Sequence, residues 1–339
     1  DNIDNGTVYT LGSGGVSGSS VSINGSNLVT IHDGAGGTAS FTLAPTSGVT
    51  SSANKLVVGR YQLGASGTVT ANSANFSNTI TVVGAHQVNT KGITASASSV
   101  SKAYDGNTSM TGVVLGLSTL ETNDKVDVNG TGAFDSKNAG TGLNYTLSGL
   151  TLSGDDAGNY HLSGGASFSG NNGVITAVPL TVTASNASKT YDGVAYSGGN
   201  GVTYSGLVGT DTASVLGGTL IYSGSSQGAV NAGSYVITPG GLSSNNYTIS
   251  YANGALTIGK AALTVTANAA SKTYDGVAYS GGNGVTYSGL VSGDTLGGAL
   301  SYSGTSQGAV NAGTYVITPG GLSSNNYTIS YANGALTIG

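Results

Sequence analysis

The sequence predicts an all-β protein, a tandem array of small β-rich domains. Three observations predict it. The 339-residue chain repeats itself in register over its second half. Its apolar residues fall in short period-two runs of Val, Ile, Leu and Tyr between clusters of Gly, Asn, Asp and Ser, the pattern of strands and turns. Charged residues make up only 7% of it, against about 25% in an ordinary soluble domain. Hydrophobic residues nevertheless reach 38%, which argues against a disordered linker, where low hydrophobicity accompanies high charge.

The repeats define the organisation. Residues 180–259 and 263–339 are near-copies that differ mainly by a short deletion around Leu290–Thr295. A more diverged copy precedes them. Its Ser101-Lys102-Ala103-Tyr104-Asp105-Gly106 matches Ser188-Lys189-Thr190-Tyr191-Asp192-Gly193, and Asn159-Tyr160 matches Asn246-Tyr247. Tyr104 precedes Tyr160 by the same interval that separates Tyr191 from Tyr247, and the interval from Tyr274 to Tyr327 is shorter by the deletion. A fourth copy is expected upstream, where Val58–Leu63 resembles 141–147 and Asn75-Phe76 stands in for Asn159-Tyr160, although no Tyr-Asp-Gly precedes it. The expected domains are therefore 1–92, a diverged N-terminal β-domain whose residues 1–55 have no clear counterpart, then 93–178, 179–259 and 260–339.

Each later copy offers six strands: Leu180–Ala184, Val202–Ser205, Leu220–Tyr222, Tyr235–Thr238, Tyr247–Tyr251 and Leu256–Ile258. Asn253-Gly254 and its repeat Asn333-Gly334 predict type I′ hairpins between the last two strands, because both central residues of that turn need positive φ. The only helical candidate is one turn within 207–216. Six strands in about 80 residues suit an immunoglobulin-like β-sandwich, with a β-grasp-like domain as the alternative. The junction Ile258-Gly259-Lys260-Ala261-Ala262-Leu263 has no flexible linker, so an elongated rod is expected, on the order of 120–160 Å for four domains.

The Tyr-Asp-Gly triplets (Tyr104, Asp105, Gly106; Tyr191, Asp192, Gly193; Tyr274, Asp275, Gly276) are the signature. Asp-Gly makes a turn, and the tyrosine closes the domain end while its hydroxyl finds a partner. Lys102, Lys189 and Lys272 precede each tyrosine by two residues. An isopeptide bond there would need a nearby acid, usually Glu, and Glu121 is the single glutamate; an ion pair with the adjacent Asp is the simpler reading. The acids Asp124, Asp127, Asp155 and Asp156 match no calcium-loop spacing and leave calcium binding open. Gly224-Ser225-Ser226-Gln227-Gly228 formally fits a nucleophile elbow, but no histidine follows it. No catalytic, cofactor or metal residues are expected. Tyr196, Tyr204, Tyr279 and Tyr287 are the candidates for stacking on sugars.

Nine lysines and arginines in total cannot neutralise a phosphate backbone, so nucleic acid is not an expected partner. No apolar stretch reaches the ~20 residues of a membrane helix, so no membrane insertion is expected. The opening Asp1-Asn2-Ile3-Asp4 is no signal peptide, and the sequence reads as part of a longer protein. Low charge and the absence of cysteine favour a secreted bacterial surface protein.

Residues 93–339 resemble the YDG and MBG-type repeats of large bacterial surface adhesins. The resemblance rests on Ser-Lys-Thr-Tyr-Asp-Gly, Gly293-Asp294-Thr295, Asn231-Ala232-Gly233-Ser234-Tyr235, Asn246-Tyr247-Thr248-Ile249 and Asn253–Ile258. Such repeats occur in filamentous-haemagglutinin-like exoproteins exported by two-partner secretion in Gram-negative bacteria. The resemblance implies a non-enzymatic stalk at the cell surface that supports host or biofilm attachment. Extracellular polysaccharide and surfaces are the implied partners, with lateral self-association through weakly charged edge strands. A multivalent carbohydrate-binding module is the alternative.

Overall fold

The computed structural model describes residues 20–74, 76, 82, 84–98, 100–110 and 113–339. The chain divides into two compact units, Asp1–Lys102 with Asn107–Ile175, and Ala103–Gly106 with Thr176–Gly339.

The first unit begins with β1 (Ser20–Ile23), β2 (Leu28–His32), β3 (Thr38–Pro45), β4 (Gly59–Ala71) and β5 (Ala85–Val88). They form one antiparallel sheet in chain order around Val29, Phe41, Leu43 and Leu63. Next come β6 (Lys91–Ile93), β7 (Ala95–Ser98), β8 (Ser101–Ala103), β9 (Val114–Leu117), β10 (Asp127–Phe134), β11 (Gly140–Ser153), β12 (Tyr160–Leu162) and β13 (Ser167–Thr176). Here β6 pairs parallel with β12, β7 pairs with β9, and a four-stranded sheet runs β10-β11-β13-β8.

The second unit holds two repeats. The first comprises β14 (Val178–Ala184), β15 (Ala187–Thr190), β16 (Val202–Ser205), β17 (Gly217–Ser223), β18 (Gly233–Ser243), β19 (Tyr247–Ala252) and β20 (Gly254–Gly259). The second comprises β21 (Ala261–Ala267), β22 (Ala270–Lys272), β23 (Val285–Ser288), β24 (Gly297–Ser303), β25 (Gly313–Ser323), β26 (Tyr327–Ala332) and β27 (Gly334–Ile338). Each repeat has a three-stranded sheet (β16-β14-β19; β23-β21-β26) and a four-stranded sheet (β15-β20-β18-β17; β22-β27-β25-β24). The 93–178 copy has the same plan with its first strand broken into β6 and β7. The five-strand meander does not. The fourth copy expected upstream is thus not reproduced in topology, and most of its Asn75–Ile80 match lies outside the described residues.

Period-two burial builds the core. In β14, Leu180, Val182 and Ala184 point inward, and in β20 Leu256 and Ile258 do. Ala184 of one sheet packs with Ile237 and Leu256 of the other. All six expected strands are present. Ala187–Thr190 is an additional one, pairing parallel with β20 at Lys189↔Ile258. No α-helix occurs among the described residues. The expected helical turn is a 3-10 turn at Ala213–Val215, and the last repeat has no counterpart because the deletion falls there. The helix that a β-grasp lays across its sheet is therefore not found among these residues.

The Asn-Gly hairpins are a correction. β19 pairs parallel with β14, whereas β20 pairs with β18 and β15, so Asn253-Gly254 carries the chain from one sheet to the other. Neither residue has positive φ. The glycine has a different reason. A Cβ on Gly254 would stand 2.6 Å from the Ala184 carbonyl oxygen and 2.9 Å from that of Ser185. Gly334 meets Ala267 and Asn268 in the same way. The missing side chain lets the crossover pass against the backbone of the first strand.

Candidate functional site: a tyrosine–aspartate clasp

Each Tyr-Asp-Gly tyrosine leaves the first strands of its copy on a backbone bond to the end of the last strand: Tyr104 N to Thr176 O (2.8 Å), Tyr191 N to Gly259 O (2.8 Å) and Tyr274 N to Gly339 O (2.7 Å). The glycine then turns the chain, with φ of 79°, 74° and 71° at Gly106, Gly193 and Gly276. Asp192 Oδ1 accepts from Val194 N at 2.9 Å and from Lys189 at 2.7 Å. Asp275 does the same with Val277 N and Lys272. These lysines hold the turn as ion pairs, and the carboxyls of Asp192 and Asp275 lie below the usual range chiefly because of the lysine bond.

This turn aims the ring away from its own copy. Within the second unit, the Tyr191 hydroxyl donates to Asp294 Oδ2 (2.8 Å), and the Tyr327 hydroxyl donates to the same oxygen (2.6 Å). The two rings meet edge to face with centroids 5.4 Å apart. Val291 N donates to the Tyr327 hydroxyl at 2.8 Å. Tyr104, whose Ala103–Gly106 segment belongs to this unit, does the same one step earlier. It donates to Asp211 Oδ2 (2.9 Å) beside Tyr247 (2.5 Å), with the rings 5.5 Å apart and Val208 N on the Tyr247 hydroxyl. A plug tyrosine thus enters a socket made by the Asp and Tyr of the following copy. The plugs Tyr104 and Tyr191 are 3% and 6% exposed. Between the last two repeats the seat is extended by Asn326, which accepts from Ala232 N (2.9 Å) and donates to Asn231 (3.0 Å).

The socket also exists in the first unit. Tyr160 donates to Asp124 Oδ2 (2.6 Å) and accepts from Glu121 N (3.1 Å). The other carboxylate oxygen of Asp124, Oδ1, takes Ala53 N at 2.7 Å, whereas the plug tyrosines of the other two sockets share Oδ2 with the socket tyrosine.

Tyrosine hydroxyls bonded to a carboxylate out of water resist ionisation. Burial, then the Asp211 bond, pushes Tyr104 up to about 12, and burial, then Asp124, pushes Tyr160 up to about 12. Tyr191 is raised first by its Asp294 bond, and Tyr247 and Tyr327 first by burial. A folded pKa above the unfolded value near 10 gives stabilisation that is complete below about pH 10 and is lost as pH rises through the folded value. Denaturation midpoints are expected to hold up to about pH 10 and to fall in step with late phenolate absorbance towards about pH 12.

Residues 89–167 match the YDG domain, and residues 180–257 and 263–337 match the MBG domain (YGX type). These residues are a YDG/MBG repeat region. No curated protein matches the chain. The clasp tyrosines Tyr104 and Tyr191 fall inside the YDG and first MBG matches, and their sockets Asp211 and Asp294 fall inside the MBG matches that follow.

The sugar-stacking candidates are not gathered into one place. Tyr196 and Tyr279 lie half-buried in loops against the cores of their MBG repeats. Tyr204 is half-buried on β16, and Tyr287 is 44% exposed on β23. Asp124 and Asp156 face backbone N–H groups, Asp156 accepting from Lys125 N (2.9 Å) and Ser52 N (3.1 Å). Among the described residues no group of three or more His, Asp or Glu is placed to hold a metal ion. Ser226, the middle residue of the elbow-like motif, is fully buried and bonded by Gln227 Nε2 at 2.9 Å. Gln227 also exchanges two hydrogen bonds with Gly198, so the segment is a loop lock. Sequence reasoning did not single out Asp211, and it met Asp294 only within Gly293-Asp294-Thr295, without a role. Their signal was spacing: Asp124–Tyr160 and Asp211–Tyr247 are 36 apart, and Asp294–Tyr327 is 33 apart.

Proposed function

We propose that this YDG/MBG region is a stalk segment of an extracellular bacterial adhesin, holding an attachment surface away from the cell and working without catalysis. The observation that carries this reading is the recurring clasp. Its buried tyrosines and half-buried aspartates join one copy to the next, an arrangement that gives repeat arrays their nearest-neighbour coupling. Low charge and the absence of cysteine fit a secreted surface protein. The implied route is two-partner secretion in a Gram-negative cell, and the implied partners are host surfaces or the polysaccharide of a biofilm matrix.

The test is an in-frame deletion of residues 180–337 in the producing cell. Secretion is expected to persist while surface attachment and biofilm mass fall. Unchanged attachment with normal secretion counts against a stalk. A glycan array on the purified chain examines the carbohydrate-binding alternative: saturable binding lost with Tyr204→Ala and Tyr287→Ala would replace the stalk reading with a multivalent lectin.

A further inference from the structure

The two clasps leave one plug over. Tyr274 stands in the same turn as Tyr104 and Tyr191, with the same bond to the end of the last strand and the same positive-φ glycine, and it shares the Lys-Asp brace of Tyr191. Yet Tyr274 is 57% exposed where the other two are 3% and 6%. The neighbouring seat is bare as well. Ala232, which donates to Asn326, is half-buried, whereas its equivalent Ala312 is exposed. Among the described residues, the Asp211 socket is filled by Tyr104 and the Asp294 socket by Tyr191, and Asp124 takes Ala53 N on its other oxygen.

We propose that the face carrying Tyr274 and Asn311-Ala312 is a docking surface for a further repeat that supplies an Asp–Tyr socket. The occupant follows from the chemistry of the two seated copies. A phenol needs a carboxylate acceptor beside a second tyrosine ring for the edge-to-face contact, and the backbone N–H of residue 312 needs an amide acceptor like that of Asn326. An MBG-type repeat presents all three at fixed separations. The inference concerns how the array extends and does not depend on what the protein adheres to.

The experiment adds a second copy of residues 260–339 directly after Gly339, joined as Lys260 follows Gly259. Tyrosine nitration is mapped peptide by peptide in the parent and extended chains. In the parent, Tyr274 is expected to react about tenfold faster than Tyr191, since exposure governs access. In the extended chain Tyr274 is expected to become as protected as Tyr191, and an alanine at the added copy's counterpart of Asp294 is expected to restore its reactivity. Continued fast reaction of Tyr274, with the added copy's counterpart of Tyr327 protected and so folded, overturns the proposal. If that counterpart is reactive, residues 180–259 are added instead, and the same two outcomes decide.

Discussion

Asp294→Ala is expected to destabilise the last repeat by about 2–4 kcal/mol, because it removes the one acceptor shared by two tyrosine hydroxyls that are each under a tenth exposed. The effect is expected to be two-sided. Tyr327 belongs to the same repeat as Asp294 and Tyr191 to the one before it, so the substitution weakens both a fold and a junction. Denaturant melts of the parent chain and the variant measure the first effect as a lower midpoint. They measure the second as a broader or split transition, as expected when nearest-neighbour coupling in a repeat array weakens. Asp294→Asn keeps an acceptor and is expected to lose less. A cycle with Tyr191→Phe separates the terms: the phenylalanine is expected to cost about 1 kcal/mol in the parent and little in the Asp294→Ala background. Equal costs in both backgrounds would show that Tyr191 and Asp294 act independently.

Gly254→Ala is expected to be as damaging through a different cause. The new methyl would meet the carbonyl oxygens of Ala184, the last residue of the first strand, and of Ser185 just after it, at 2.6 and 2.9 Å. Neither oxygen is the end of a flexible side chain, so the sheets must separate to admit it. Overpacking of this kind costs about 1–3 kcal/mol and sometimes more, or roughly 4–8 °C in melting temperature per kcal/mol for a domain of this size. Gly259→Ala on the same strand is the control. Its nearest neighbour would be the Lys189 carbonyl oxygen at 3.8 Å, an ordinary contact, and its melting temperature is expected to match the parent's. Equal losses at both positions would show that the close approach at the crossover is not the cause.

Much of the fold was legible in the sequence because strands announce themselves through alternation. Leu180, Val182 and Ala184 show it with three inward residues in a row. Ala187–Thr190 escaped because a short strand with no fully buried side chain leaves no such trace. The Asn-Gly pair misled because glycine answers two different needs. Positive φ is local and can be read from a dipeptide, whereas close approach of backbone depends on what lies opposite, here a strand some 70 positions earlier (Asn186 bonds Ala255 at a separation of 69). The clasp divided along the same line. The tyrosine, the turn and the lysine brace are neighbours in sequence and were visible. Their acceptor lies 107 and 103 residues downstream, and only the recurring Asp–Tyr interval pointed to it.

The crossover at Asn253-Gly254 also decides how a repeat would meet tension. Because the chain changes sheets there, the last strand ends beside the second and runs in the same direction, Ala187–Thr190 against Leu256–Gly259 and Ala270–Lys272 against Leu336–Ile338. Pulling the two ends of a repeat apart therefore slides these strands lengthwise. The cross-strand bonds are loaded in shear and must yield together, whereas the arms of a hairpin would peel open one bond at a time. Failure under load becomes a matter of how slowly one repeat lets go.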